Sequence, residues 1–136
     1  MGMTQLIAGI QNVDSTVLAS AARIATTTST DQVNELNTGL VVFVSVTARA
    51  GATTLTPELH VKDPTSGKYF TAWTAAAAIN SADTIVAYLF YPGVIATANV
   101  TFTEEMDMPV SRNWRLKVTH SDTDSITYSV GASYIV

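Results

Sequence analysis

From residue 39 onward apolar and polar side chains alternate with a period of two, the spacing at which an extended strand sends successive side chains to opposite faces. In GLVVFVSVTARA, the set Leu40, Val42, Val44, Val46 and Ala48 points one way, while Val41, Phe43, Ser45, Thr47 and Arg49 point the other. A strand that starts apolar on both sides is expected at the centre of a sheet, and Gly51 ends it. In TLTPELHVKD, Leu55, Pro57, Leu59 and Val61 oppose Thr56, Glu58, His60 and Lys62. Pro57 has no N–H to give to a ladder, which predicts an edge strand or a bulge. Asp63-Pro64-Thr65-Ser66-Gly67 reads as a type I turn with a bulge, and KYFTAW as the returning strand of a hairpin. TAAAAINSAD is too short and too poor in charge pairs for a helix, and reads as a strand end plus loop.

Thr84 to Tyr91 (TIVAYLFY) predicts another strand apolar on both faces, stopped by a type II turn at Pro92-Gly93. ATANVTFTEE alternates through Val100 and Phe102 before the acidic run Glu104, Glu105 and Asp107, which reads as a solvated loop. NWRLKVTH sets Trp114, Leu116 and Val118 against Arg115, Lys117 and Thr119; after the polar S-D-T-D-S turn, Ile126, Tyr128, Val130, Ala132 and Tyr134 share a face. These last two segments are expected to form a hairpin. With a further strand in STVLASAARIATTTST, the count reaches about eight antiparallel strands, the number expected of a β-sandwich. The expected fold is one all-β domain over residues 15–136, of jelly-roll or immunoglobulin-like order, preceded by an N-terminal arm at residues 1–14.

Composition sharpens this picture. A chain of 136 residues suits one domain, and only 13% of them are charged, against about 25% in average soluble domains. A sheet face with so few ions can be covered by another protein at little desolvation cost. The formal net charge is −4, from seven Lys plus Arg against eleven Asp plus Glu, and only Arg112, Arg115 and Lys117 lie close together. Nucleic-acid binding calls for a basic stripe, so no direct nucleic-acid ligand is expected. Without cysteine there is no disulfide framework, thiolate metal site or thiol nucleophile. The apolar patch from Leu6 to Ile10 follows no Lys or Arg and is interrupted by Asn12 and Asp14, so neither a signal peptide nor a membrane span is expected.

Catalytic constellations are missing. His60 alternates with Glu58 and Lys62, His120 ends a strand, and there is no nucleophile elbow, P-loop, dinucleotide fingerprint or zinc-protease motif. Asp122-Thr123-Asp124 has oxygens for calcium, yet Asp at a turn ordinarily bonds its own backbone. No catalytic, cofactor-binding or metal-binding residue is assigned, and an enzyme is not expected. Trp73 and Trp114 fall on core faces. Tyr69, Tyr88, Tyr91, Tyr128 and Tyr134 are too many for the core alone; an exposed row would suit sugar stacking and a scattered set subunit contacts. Tyr69 and Tyr88 are therefore candidate contact residues, with Leu6, Ile7 and Ile10 of the arm.

The stretches DPTSGKYFT, YPGV and above all NWRLKVTHSDTDSITYSVGASYIV resemble a family of small tailed-bacteriophage virion proteins. The resemblance runs from about Ser15 to the end and is strongest in the last third; the first dozen residues lie outside it. Its motifs are turn and strand signatures with no catalytic meaning. What the resemblance implies is a structural protein that decorates or cements the head of a double-stranded DNA phage and is assembled in the host cytoplasm. Its partners would be the major capsid protein and other copies of itself, as dimers or trimers. Another virion part (tail, baseplate or head fibre) and a carbohydrate-binding or adhesin sandwich are the alternative readings.

Overall fold

The computed structural model describes residues 11–94 and 101–136. Its strands are β1 (Val13–Arg23), β2 (Thr27–Thr28), β3 (Gln32–Val33), β4 (Gly39–Arg49), β5 (Leu55–Lys62), β6 (Tyr69–Thr74), β7 (Thr84–Phe90), β8 (Glu104–Met106), β9 (Asn113–His120) and β10 (Ile126–Ile135). They form two sheets. Sheet I has the order β1-β10-β4-β7-β8; sheet II has the order β2-β9-β5-β6, with β3 also on β9.

The antiparallel pairings nest. First pairs with last (β1 with β10), β2 and β3 pair with β9, β4 with β7, and β5 with β6 at the centre. This is jelly-roll order, a long hairpin rolled so that its segments alternate between two sheets. In an immunoglobulin-like sandwich the last two strands share a sheet. Here β9 and β10 lie in opposite sheets, which also corrects the expected terminal hairpin. Asp122 and Asp124 explain the difference. Asp122 accepts hydrogen bonds from the Asp124 N–H (2.8 Å) and the Thr53 hydroxyl, and Asp124 Oδ2 accepts from the Ala52 N–H (3.3 Å). The turn is thus tied to the β4–β5 connection, which makes the same crossing between sheets beside it.

Of the two alternatives expected at Pro57 the bulge is found, and the reading of the acidic run changes. Strand β5 is interior, between β9 and β6, and its pairing with β6 carries the bulge, between Leu59 and His60. Pro57 is tolerated because its C=O points to the β6 side, where it accepts from the Ala75 N–H at 2.9 Å, just past the end of β6. Its missing N–H points the same way, so the ladder to β9 loses nothing and the one bond forgone is the return bond to Ala75, past the end of β6. The acidic run is not a loop: Glu104–Met106 is an edge strand parallel to β7. The Glu104 carboxylate fixes it by accepting from Trp73 Nε1 (3.2 Å) and the Ala76 N–H (2.9 Å). The strand expected through Val100 falls partly outside the described residues, and Thr101 and Phe102 are not in a strand. Strand β1 takes in residues 13 and 14 at its start.

The turns follow their residues. Gly67 (φ +73°) closes the β5–β6 hairpin, and Gly93 (φ +82°) occupies the left-handed position of the Tyr91–Val94 turn. The core lies between the sheets, from Leu40, Val42, Val44 and Val46 of β4 and the alternate residues of β10 on one side to Leu55, Leu59, Trp114, Leu116 and Val118 on the other. Trp73 reaches across from β6 to Tyr88 and Phe90, with ring centroids 4.7 and 5.1 Å away. Fully burying each such side chain contributes about 1.5–3 kcal/mol.

One corner is closed without a side chain. Gly39 is buried beneath the Tyr91 ring and Ile135, and a methyl group there would run into both. Tyr91 is held in place by its hydroxyl, which donates to the Val136 carbonyl (3.2 Å). Gly39→Ala is expected to cost about 1–3 kcal/mol through this overpacking, read as a lower urea midpoint at unchanged slope; a midpoint equal to wild type would mean the corner yields freely.

Candidate functional site

The outward-facing residues of the two sheets differ in kind. On sheet II the β5 residues Glu58, His60 and Lys62 pair with Lys117 and Arg115 of β9 and Tyr69 of β6. Arg115 stacks on the Tyr69 ring, 3.5 Å from its centroid, and its Nε donates to His60 Nδ1 at 3.2 Å. The Tyr69 hydroxyl donates to Asp31, and Lys62 Nζ donates to the other Asp31 oxygen at 2.8 Å. Glu58 Oε2 accepts from the Thr119 hydroxyl (3.1 Å) and lies 3.9 Å from Lys117 Nζ. Hydrogen bonds from Lys62 and Tyr69 hold the Asp31 carboxyl below the usual range. His60, with Nδ1 accepting from Arg115, is neutral: burial first and Arg115 second lower its pKa, so its 3.9 Å approach to Glu58 is not an ion pair. This face has its charges already matched, and it offers no free basic stripe.

Sheet I presents the opposite surface. Its three central strands β10, β4 and β7 turn Ser129, Gly131 and Ser133, Val41, Phe43 and Ser45, and Ile85, Ala87 and Leu89 outward, in register. None of these carries a charge. Row by row the pairing reads Ser133–Val41–Leu89, Gly131–Phe43–Ala87 and Ser129–Ser45–Ile85. Asp14 of β1 and Glu105 of β8 bracket the first row from the two edges. Ile85 is 63% exposed at the far corner, Phe43 is half-buried in the middle, and Val41 in the first row, though on this side of the sheet, is only 6% exposed. Small hydroxyls between aliphatic side chains make a flat surface that another protein can cover without stripping water from ions.

The sequence-selected residues separate. Tyr69 is half-buried on sheet II under Arg115, and not free for stacking. Tyr88 is only 1% exposed, which corrects its selection as a contact residue: it pairs with Val42 of β4 and faces the core, where burial and the nearby Glu104 push its hydroxyl pKa up to about 12. The two tyrosines sit in different sheets, and Tyr128 and Tyr134 are buried as well, so a tyrosine row does not form. Leu6, Ile7 and Ile10 lie outside the described residues. Phe43, Ser45 and Ile85 were not selected from sequence. The signal was available: no charged residue occurs from Gly39 to Ala48, from Thr84 to Phe90 or from Ile126 to Ile135.

Both histidines are engaged in hydrogen bonds within the fold. His120 Nε2 shares a hydrogen bond with the Tyr128 hydroxyl at 2.9 Å, and its pKa is lowered by burial and by Arg23, which stacks over the Tyr128 ring. Among the described residues, no three His, Asp or Glu side chains come together as metal ligands would.

No protein-family model matches the chain, and no curated protein matches it. Among solved structures, it is similar to chains from infectious bursal disease virus. For the Gx strain the identity is 15% and the TM-score 0.50, over 90% of this chain and 31% of that one. For the Gt strain the identity is 15% and the TM-score 0.54, over 92% and 33%. The chain spans about a third of the length of these viral chains, and the likeness is one of fold. A subunit of Bacillus endospore appendages, a family of disulfide-linked pili, aligns over 93% of this chain and 89% of its own at 9% identity and a TM-score of 0.43.

The two histidines set an acid limit. Both are held neutral when folded, so the unfolded chain takes up more protons below its value near 6.5. Their stability contribution is fully present above that value and is lost as pH falls through it toward the lowered folded values. Thermal unfolding is expected to show a declining midpoint between about pH 7.5 and about pH 5, and a flatter decline in His60→Gln/His120→Gln. Parallel profiles for the two proteins would assign the acid sensitivity to the carboxylates.

Proposed function

We propose that this chain is a structural subunit of a virus particle, and more specifically that it decorates or cements the head of a tailed double-stranded DNA phage. In this reading it binds across major capsid protein subunits and associates with its own copies as dimers or trimers. The observation that carries the proposal is the uncharged outer face of β10, β4 and β7. A protein whose acids and bases are matched on one sheet, and absent from the centre of the other, is built to be covered on the second. The resemblance of the C-terminal strands to phage virion proteins supplies the identity of the covering partner.

Repetition strengthens such a contact. A single face of this size gives modest affinity, and many copies on a lattice convert it into tight retention. The arm adds to it: Leu6, Ile7 and Ile10 anchor it on a neighbouring subunit in this reading. Removal of residues 1–10 tests the arm alone, because Gln11 and Asn12 stay to accept from the Asn37 side chain (2.8 Å) and the Val136 N–H (3.1 Å).

Co-sedimentation with empty, expanded phage capsids is the decisive measurement. Wild-type protein is expected in the pellet. Phe43→Lys/Ile85→Lys, which forces two ammonium groups into the covered face, is expected to bind at least about tenfold more weakly. Deletion of residues 1–10 is expected to weaken binding as well. Wild-type protein left in the supernatant would sink the proposal, and full binding by the double variant would move the contact to another face.

A further inference from the structure

An open sheet edge carries unpaired N–H and C=O groups, and native proteins blunt such edges against chance pairing. Among the described residues, three of the four edges of this sandwich are blunted. Strand β1 has two register breaks, and Arg23 lays its guanidinium on the Ala19 and Ala21 carbonyls (2.6 and 3.3 Å). Strand β8 is three residues long and carries Glu104 and Glu105. Strands β2 and β3 have two residues each. Strand β6 is the exception. It is six residues long, holds neither a charge nor a proline, and pairs on its far side with no described strand. Its one register shift is the bulge opposite Leu59 and His60.

This edge offers both kinds of contact that an added strand needs. Asp63 N–H donates to the Lys68 carbonyl, so by the alternation of an antiparallel ladder Val61 and Phe70 bond each other. The backbone groups of Tyr69 and Thr71, on either side of Phe70, therefore point away from β5. Val61 packs against the core, which puts its neighbour Phe70 on the inner side of sheet II, yet Phe70 is 71% exposed. A strand laid along β6 would bond Tyr69 and Thr71 and bring alternate side chains over the Phe70 ring.

We propose that β6 receives residues 5–10 of a second copy as that strand, so that copies are joined by their N-terminal arms. Gln5-Leu6-Ile7-Ala8-Gly9-Ile10 matches β6 in length and in its lack of charge, and its period of two puts Leu6, Ala8 and Ile10 on the Phe70 side. The donor is another copy because of where the arm joins the fold. Gln11 and Asn12 are tied to Asn37 (2.8 Å) and to the Val136 N–H (3.1 Å), on the β1 flank of sheet I. Strand β6 lies on the opposite flank, where Trp73 packs on Tyr88 and Phe90 of β7. Three strand spacings separate β1 from β7, about 14 Å, and the sheets are about 10 Å apart, so six extended residues of about 20 Å would be consumed by the crossing. On a neighbour they are free to pair along their whole length. The proposal rests on the reading that copies associate, and it uses a different surface from the outer face of sheet I.

The chain has no cysteine, so single introduced cysteines report cleanly on who touches whom. Full-length Thr71→Cys protein is mixed with full-length protein carrying Leu6→Cys, Ile7→Cys, Ala8→Cys, Gly9→Cys or Ile10→Cys, and the mixture is mildly oxidised. Paired strands bring side chains within disulfide range, so at least one mixture is expected to yield an arm-to-β6 disulfide, identified by peptide mass spectrometry. Ser20→Cys, exposed on β1, replaces Thr71→Cys as the control and is expected to yield none. In sedimentation equilibrium the wild-type chain is expected to associate, and Phe70→Lys/Thr71→Pro to do so at least about tenfold more weakly. The Thr71 N–H lies outside the β5 ladder, so proline leaves that ladder intact. Phe43→Lys/Ile85→Lys is expected to lose capsids and keep the arm disulfide, which separates this proposal from capsid binding. A wild-type chain that stays monomeric overturns it. So does the lack of an arm disulfide at all five positions, or an equal yield with Ser20→Cys.

Discussion

The interleaving of alternate side chains from β4 and β10 with those of β5 and β9 is the interaction on which the rest of this structure depends. Leu40, Val42, Val44 and Val46 on one side meet Leu55, Leu59, Leu116 and Val118 on the other, all of them essentially without solvent contact. Because the side-chain period of a strand is two, fixing these residues inward also fixes which residues face outward. A slip of one residue in β4 would send Phe43 and Ser45 into the core and Val42 and Val44 into water. The outer surfaces are thus consequences of the inner one, and the register that builds the core also composes the uncharged outer face.

That face and its counterpart divide the labour of the molecule. Sheet II holds its charges in a closed set: Asp31 with Lys62 and Tyr69, Arg115 on the Tyr69 ring and on His60, Glu58 between Thr119 and Lys117. Exposed pairs of this kind add little stability. They keep one side of a weakly charged protein wetted, and so leave the other side free to be neutral.

Much of this was legible in the sequence, and what was not has physical causes. Alternation located β4, β5, β9 and β10, the two-sided apolar run located β7, and the turn at Gly67 located β6 as the returning strand of a hairpin. The core roles of Trp73 and Trp114 and the turns at Gly67 and Gly93 followed from the same logic. Strand pairing was illegible where it depends on partners far along the chain: β9 and β10 look like a hairpin until Asp122 and Asp124 are seen bound to Thr53 and Ala52. Strand β8 was hidden because its acidic residues suit a loop, and only the approach of Trp73 gives Glu104 a reason to sit at a sheet edge. Tyr88 was misplaced because a tyrosine in TIVAYLFY fits either face, and register with Val42 decides. The uncharged face was legible in three charge-free segments, but only the register shows that they lie side by side.

The nesting of the strand pairs has a consequence for the order of events in time. Strand β1 cannot find its neighbour until β10 exists, and β10 leaves the ribosome after the other nine strands. Only the innermost pair, β5 with β6, can form early and locally. Closure of sheet I must therefore wait for β10 and bring together residues more than 100 positions apart, such as Val13 and Tyr134, the kind of topology that folds slowly. During that interval β4 and β7, apolar or neutral on both faces, are available to any other sheet. The low charge that leaves the outer face of sheet I neutral also makes the nascent chain adhesive, so rapid pairing of β4 and β7 with their own neighbours in the sheet protects the fold.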